Sequence, residues 1–344
     1  MKKMFRLLLL LTFLIVLAAC GNNEGDTGSD SGDGNGYSGE SMKLKLGFNT
    51  PDDSVRGEAG KKFKEIVEDK TDGKVTVELF SGETLGTEQE MVEQVQSGAL
   101  ELQLVGAGAL QNIIPEYAIL QLPFMVDDFE EAYAVLDGEI GDELKDIAYD
   151  KGFKVLTHTD LGFTQITNNK HPVSSPDDLK GLKIRTPEEP TSLITFEKLG
   201  ASVTTMPFTE VYLGLQQGVI DGQFNPLDAI YENNMQEVQD YLTLTNHFYL
   251  FVNFVMNKDL YDGLDDELKG IIDEAAEEAQ KVSREYTQEM HEEMLDTLRD
   301  DFEEIVEDPD IDAFRDKIDY SDFDEVMDPE FINKTREFIE DLRD

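Results

Sequence analysis

One cysteine, no tryptophan and four histidines in 344 residues leave few of the side chains from which metal centres, disulfides and nucleophilic active sites are built. The histidines, His158, His171, His247 and His291, are scattered, and neither HExxH nor CxxC occurs, so no zinc pattern exists. There is no G-x-S-x-G elbow, and the lone cysteine, Cys20, closes an apolar N-terminal run instead of sitting in the body of the chain. "VGAGAL", residues 105–110, lacks the third glycine of a dinucleotide fingerprint and the lysine of a phosphate loop, and its plainer reading is close backbone packing at a strand end. Paired carboxylates abound, but among 74 acidic residues a pair carries little information. No catalytic residue, metal or cofactor is assigned on this basis. An exported hydrolase or lyase using paired carboxylates stays open as an alternative.

Positive charge is scarce as well. With 29 Lys and Arg the formal net charge is -45, which would repel nucleic acid and anionic lipid from most of the surface. Hydrated carboxylates at this density suit an exported protein working in salt or at high pH. Export is also what the N-terminus indicates. Lys2, Lys3 and Arg6 precede an apolar stretch from Leu7 to Leu17 that ends in small residues, the layout of a signal peptide over residues 1–20. The stretch is shorter than the roughly 17–25 residues of a spanning helix. "LAAC" followed by Gly21 resembles the bacterial lipoprotein box, which makes Cys20 a lipidation site and the outer face of the cell membrane the expected location. Residues 21–41 are a Gly/Ser/Asp/Asn tract with little to bury, a flexible leash of roughly 25 Å reach. The folded part is expected to start near Met42.

From there the pattern alternates. "MKLKLGFNT" reads as a strand, "SVRGEAGKKFKEIVEDKT" as a helix, "KVTVELF" as a strand, "GTEQEMVEQVQSGAL" as a helix and "LELQLVGAG" as a strand. A second alternating set begins at "FKVLTHTDLGFTQITNN" and runs through "LKGLKIRTP", "EPTSLITFEKLGA", "SVTTMPF" and "TEVYLGLQQGV". Two α/β lobes, each with a mainly parallel sheet, are the simplest architecture. Between Asp265 and about Glu307 apolar residues recur every three or four positions, predicting a helix of roughly 60 Å that bends around the body, spans both lobes or forms a coiled coil. Neither a regular heptad seam nor a repeated apolar edge argues for a dimer, so a monomer is expected.

Arg185, in "GLKIRTPEEP", is the only arginine between Arg56 and Arg284. A guanidinium stays charged when desolvated and presents a planar fork that matches a carboxylate. It stands at the carboxyl end of a predicted strand, where α/β sheets place their ligands. In "QGVIDGQFNP", Pro226 holds Asn225 out of helical geometry, with an amide able to donate and accept. An internal ion pair for Arg185 and an ordinary turn at Asn225 are the alternatives.

The stretch "DLKGLKIRTPEEPTSLITFEKLGASVTTMPFTEVYLGLQQGVIDGQFNPLDAIY" resembles the signature region of solute-binding subunits of TRAP transporters, the DctP-type family, and "LGFNTP", "GETLGTEQEMVEQVQSGALEL", "PEYAILQLPF" and "EVQDYLTLTNH" extend the likeness. The resemblance implies a non-enzymatic, two-lobed periplasmic-binding-protein-like clamshell with crossing strands and a long helix spanning both lobes. It puts lobe I at 42–161 plus about 250–290 and lobe II at 162–249 plus about 291–344. It implies capture of an organic acid between the lobes and delivery to a small and a large membrane permease subunit. Arg185 would pair with the ligand carboxylate, Asn225 would hydrogen-bond it and Phe208 would pack on it, with Asn49 and Glu88 adding polar contacts from lobe I. Many relatives carry a second arginine where this chain has Thr164, and Glu188 stands where some sialic-acid binders have asparagine. Both departures favour a hydroxylated monocarboxylate, such as a sugar acid or hydroxy acid, over sialic acid or a doubly clamped dicarboxylate. A receptor serving an ATP-driven importer or a sensor would share the clamshell.

Overall fold

The computed structural model describes residues 37–343; the expected signal peptide, most of the leash and Cys20 lie outside the described residues. A few residues before Met42 the chain is already packed. Tyr37 is 3% exposed, its hydroxyl donates to Asp265 Oδ2 at 3.2 Å, and its carbonyl accepts from Lys74 Nζ, so an aromatic ring at the end of the polar tract is recruited into the core.

Among the described residues, eleven strands form two sheets: β1 Met42–Gly47, β2 Val75–Phe80, β3 Leu102–Gly106, β4 Phe153–Phe163, β5 Gln165–Asn168, β6 Lys183–Thr186, β7 Ser202–Thr205, β8 Gly222–Asn225, β9 Tyr241–Thr243, β10 Tyr249–Asn257 and β11 Glu304–Val306. The first sheet runs β2-β1-β3-β10-β4 and the second β11-β9-β5-β8-β6-β7. Within each, the strand–helix–strand segments pair in parallel, whereas β10 is antiparallel to β3 and β4 and β5 is antiparallel to β8 and β9. The sheets are therefore mixed, because the strands that pass between the lobes enter them in the opposite sense.

Local chemistry accounts for the elements. Ser54 caps the helix Val55–Lys70 by accepting from Gly57 N, and Ala59, Phe63 and Val67 give it a buried stripe at helical spacing. Thr87 and Glu90 form a capping box at the start of the helix Glu88–Ser97. Along β10, Val252, Phe254 and Met256 enter one apolar cluster and Phe251 and Val255 another, as a strand covered on both faces requires.

Two connections cross between lobes. β4 runs through Thr164 into β5, and residues 244–248 lead from β9 into β10; Thr164 N donates to Phe248 O at 3.0 Å, tying the crossing strands together. The helix Asp266–Leu298 spans both lobes over about 50 Å. Its first half packs Leu268, Ile272, Ala275, Ala276 and Ala279 into lobe I, while Met294 and Leu298 enter lobe II, so the helix is a crossing additional to the two strand-to-strand ones. It stops at Leu298, short of the expected Glu307, because Phe302 turns back into lobe II and Glu304–Val306 pairs with β9. The chain's end also differs from expectation. The helix Pro329–Arg343 returns to lobe I, burying Phe331, Ile332 and Ile339 with residues of the helix Phe129–Asp137, and Arg343 pairs with Glu131 at 2.5 Å.

Candidate functional site

The carboxyl ends of β1, β3, β6 and β8 converge on one cavity of about 340 Å³. Lobe I contributes Asn49 and Thr50 beyond β1, Arg56 and Glu88 from the first turns of their helices, and Gly106–Ala109 after β3; lobe II contributes Arg185, Pro187–Glu189, Thr205–Phe208 and Asn225–Pro226. This is the topological position at which open α/β sheets bind ligands.

Arg185 is the next-to-last residue of β6 and is 3% exposed. Its Nε and Nη2 donate to Met206 O at 3.0 and 2.7 Å, which fixes the guanidinium plane and leaves Nη1 without a hydrogen bond among the described residues. No carboxylate forms an ion pair with it among the described residues. Burial pushes its pKa down to about 10, against the raising influence of Glu189, Glu88 and Glu83, so it is charged at neutral pH. A cation held this way by one carbonyl, lining the cavity, can donate to an anionic oxygen.

Lobe I carries a second guanidinium that sequence reasoning missed. Arg56 Nη1 donates to Asn49 Oδ1 and to Glu88 Oε1, the latter at 2.6 Å, and its Nε has no hydrogen-bond partner among the described residues. Glu88 also accepts from Gly106 N at 2.8 Å and Asn49 Nδ2 at 3.1 Å. Asn49 and Glu88 thus line the cavity chiefly as the frame of Arg56. One signal was available: a cation in the first turn of a helix opposes the macrodipole, so a site that keeps one there needs another reason.

Asn225 lines the cavity from the end of β8, with its Nδ2 donating to Gln223 Oε1. Phe208 is half-buried on the same wall, in the short helical turn after β7. Glu188 is exposed at the rim, its carbonyl accepting from Asn112 Nδ2 of lobe I at 3.3 Å. Thr164 is displaced from the expected site. It does not line the cavity, and its hydroxyl lies within hydrogen-bond distance of His247 and accepts from Phe248 N, because the position falls on the crossing strand and its side chain turns into lobe II. Arg56 is a second guanidinium at the cavity, but it comes from lobe I and is paired with Glu88.

Glu189, one residue beyond the candidate Glu188, is the other missed group. It is 8% exposed and accepts through Oε2 from Ser192 Oγ at 3.2 Å and Gln121 Nε2 at 3.4 Å. Burial, then the charge of Glu88, pushes its carboxyl up to about 7, while Arg185, Ser192 and Gln121 act the other way. Gln121 belongs to lobe I, and its Oε1 accepts from Gln111, whose own Oε1 accepts from Thr191, so a polar chain links the lobes behind the cavity. The histidines take no part. Burial pushes His158 down to about 4 and His247 to about 3, leaving both neutral in the core. Among the described residues no group of three His, Cys, Asp or Glu could hold a metal ion, and no helix is long and apolar enough to cross a membrane.

The model of DctP, bacterial extracellular solute-binding protein, family 7, matches residues 46–323. The chain is 34% identical over 277 residues, 80% of its own length and 84% of the relative's, to the 2,3-diketo-L-gulonate-binding periplasmic protein YiaO of Escherichia coli (strain K12). It is similar, with a TM-score of 0.85 and 31% identity, to the sugar acid binding protein DctPAm from Advenella mimigardefordensis strain DPN7T in complex with galactonate, covering 88% of this chain and 99% of that one. It matches a TRAP periplasmic solute binding protein from Polaromonas sp JS666 bound to D-erythronate with a TM-score of 0.82 and 32% identity, over 86% and 98% of the two chains. The chain belongs to the DctP family, the bacterial extracellular solute-binding proteins of family 7.

Proposed function

We propose that this protein is the extracytoplasmic receptor of a TRAP-type secondary transporter and captures an organic acid by pairing its carboxylate with Arg185. The observation that carries the reading is the Arg185 guanidinium, buried at the wall of the interlobe cavity, held by one carbonyl and lacking an anionic partner among the described residues. A buried cation without a counter-ion is costly, and a ligand carboxylate offsets that cost while completing the planar fork. Asn225 adds an amide and Phe208 an apolar face on the same wall. The ligands named for three of the relatives, diketogulonate, galactonate and erythronate, are sugar acids, which supports the same class here, although others are named for C4-dicarboxylates or succinate. Binding closes the lobes about the crossing strands, and the closed form is what the small and large permease subunits read. The acid is released unchanged, no cofactor takes part, and the receptor works as a monomer tethered through lipidated Cys20 to the outer face of the cell membrane.

Thermal-shift screening of the purified folded part against organic acids tests the reading, since a ligand that binds only the native state raises Tm. With a hit in hand, calorimetry on Arg185→Ala is expected to show a loss of about 2–5 kcal/mol of binding free energy. Arg185→Lys loses nearly as much, because an ammonium cannot both hold Met206 O with two parallel donors and present a third. Undiminished affinity in Arg185→Ala removes the residue from this role.

A further inference from the structure

The "VGAGAL" segment and the buried carboxylate opposite it are left unexplained by a simple arginine clamp. Gly108 lies in the short helix Ala107–Leu110 after β3, and a Cβ built there would overlap the Glu189 carboxylate. Its backbone φ is ordinary, so the requirement for glycine at 108 comes from the acid packed upon it. Ser192 and Gln121 grip Oε2 of that carboxylate from one side. Oε1 makes no hydrogen bond among the described residues, yet it is not sealed off like the buried unpartnered atoms of the interior, and Glu189 lines the cavity. The protein thus holds an acceptor with a free oxygen facing the space that Arg185 enters, and of all charged neighbours Glu189 acts most strongly on Arg185.

We infer that Glu189, seated on Gly108, is the specificity-determining residue of the site: it accepts a hydrogen bond from a ligand hydroxyl and excludes ligands that bring a second carboxylate to that end of the cavity. The inference rests on the organic-acid reading above and deepens it to polyhydroxy monocarboxylates. When ionised, this carboxylate accepts but cannot donate, so it needs a hydroxyl partner. Two like charges brought together in a desolvated cavity repel strongly, which is how a binding site rejects a near-isostere.

Two pairs of acids that differ only at the far carbon provide the test: D-erythronate with meso-tartrate, and D-galactonate with galactarate. In each pair a terminal CH2OH is replaced by a carboxylate. Calorimetry on the wild-type protein is expected to favour the monocarboxylate by about tenfold or more. Glu189→Gln should bring that ratio close to one by weakening the monocarboxylate and admitting the dicarboxylate. Gly108→Ala, which displaces the carboxylate while leaving its charge, should narrow the ratio as well, and it decides alone if Glu189→Gln fails to fold. A wild-type preference for the dicarboxylates, or a ratio unchanged in the variants, overturns the assignment of Glu189. If none of the four acids binds the folded wild-type protein, the organic-acid reading falls and the Glu189 assignment with it.

Discussion

Four charged side chains divide the cavity's work. Arg56 and Glu88 neutralise one another within lobe I, so their contribution is largely shape and polarity. Arg185 and Glu189 are both buried on lobe II, sense one another and are not bonded, which leaves each with capacity for a guest. The ordinary range of a carboxylic acid lies well below 7, and burial moves Glu189 up to about 7, so its charge changes near neutral pH. The groups acting on it are Glu88, which raises it, and Arg185, Ser192 and Gln121, which lower it. If the free oxygen reads a hydroxyl and repels a carboxylate, discrimination is strongest where the group is ionised. The ratio of galactonate to galactarate affinity should therefore widen as pH rises from about 6 to about 8, and Glu189→Gln should flatten that dependence. Calorimetry in one buffer series checks it; a ratio that narrows with rising pH contradicts the assignment.

At the scale of elements, the helix Leu227–Glu232 of lobe II meets the long helix Asp266–Leu298 through Tyr286, whose hydroxyl donates to Glu232 Oε1 at 2.9 Å. Burial and the charge of Asp228 push Glu232 up to about 8, and burial pushes Asp228 itself up to about 7; Asp53 and Glu58 of lobe I add to the repulsion on Glu232. In this contact the folded state retains protons that the unfolded chain has released. Stability is greatest below the ordinary carboxylate pKa and is lost as pH rises through the folded values. Thermal melts are expected to show a falling Tm between about pH 5.5 and 8.5, with a shallower fall in Glu232→Gln; parallel slopes would show that the contact does not supply the effect. The contact was not visible in the sequence, since acids occur everywhere in this chain and only folding decides which are desolvated. What could be read was periodic or scarce. The helix Val55–Lys70 announced itself by the helical spacing of its apolar residues, and Arg185 by its isolation. Arg56 and Glu189 were hidden for the opposite reason, one appearing as a surface cation in a helix's first turn and the other as one acid among 74. The return of Pro329–Arg343 to lobe I was equally hidden, because an amphipathic helix states that it needs a partner and not which one.

On the scale of the whole molecule, a formal charge of -45 sets a problem for a protein that captures anions. Inside the cavity the two arginines are accompanied by Glu88 and Glu189, and Glu83 and Glu188 also line it, so no strong positive funnel offsets the body's field. Under the proposed pairing with Arg185, an approaching carboxylate is therefore expected to be repelled at long range and attracted only once it reaches that residue. Salt separates these two regimes. Raising ionic strength from about 0.01 M to 1 M shortens the Debye length from about 30 Å to about 3 Å, which removes the long-range repulsion while leaving contacts in a closed, desolvated cavity nearly untouched. The association rate of a bound sugar acid is then expected to rise with sodium chloride and the dissociation rate to change little, the reverse of the salt dependence of a steered encounter between opposite charges. Stopped-flow measurements of galactonate binding across that range decide the matter. An association rate that falls with salt would mean that the cleft mouth presents a positive potential despite its acids, and that the excess negative charge lies on faces the ligand never approaches.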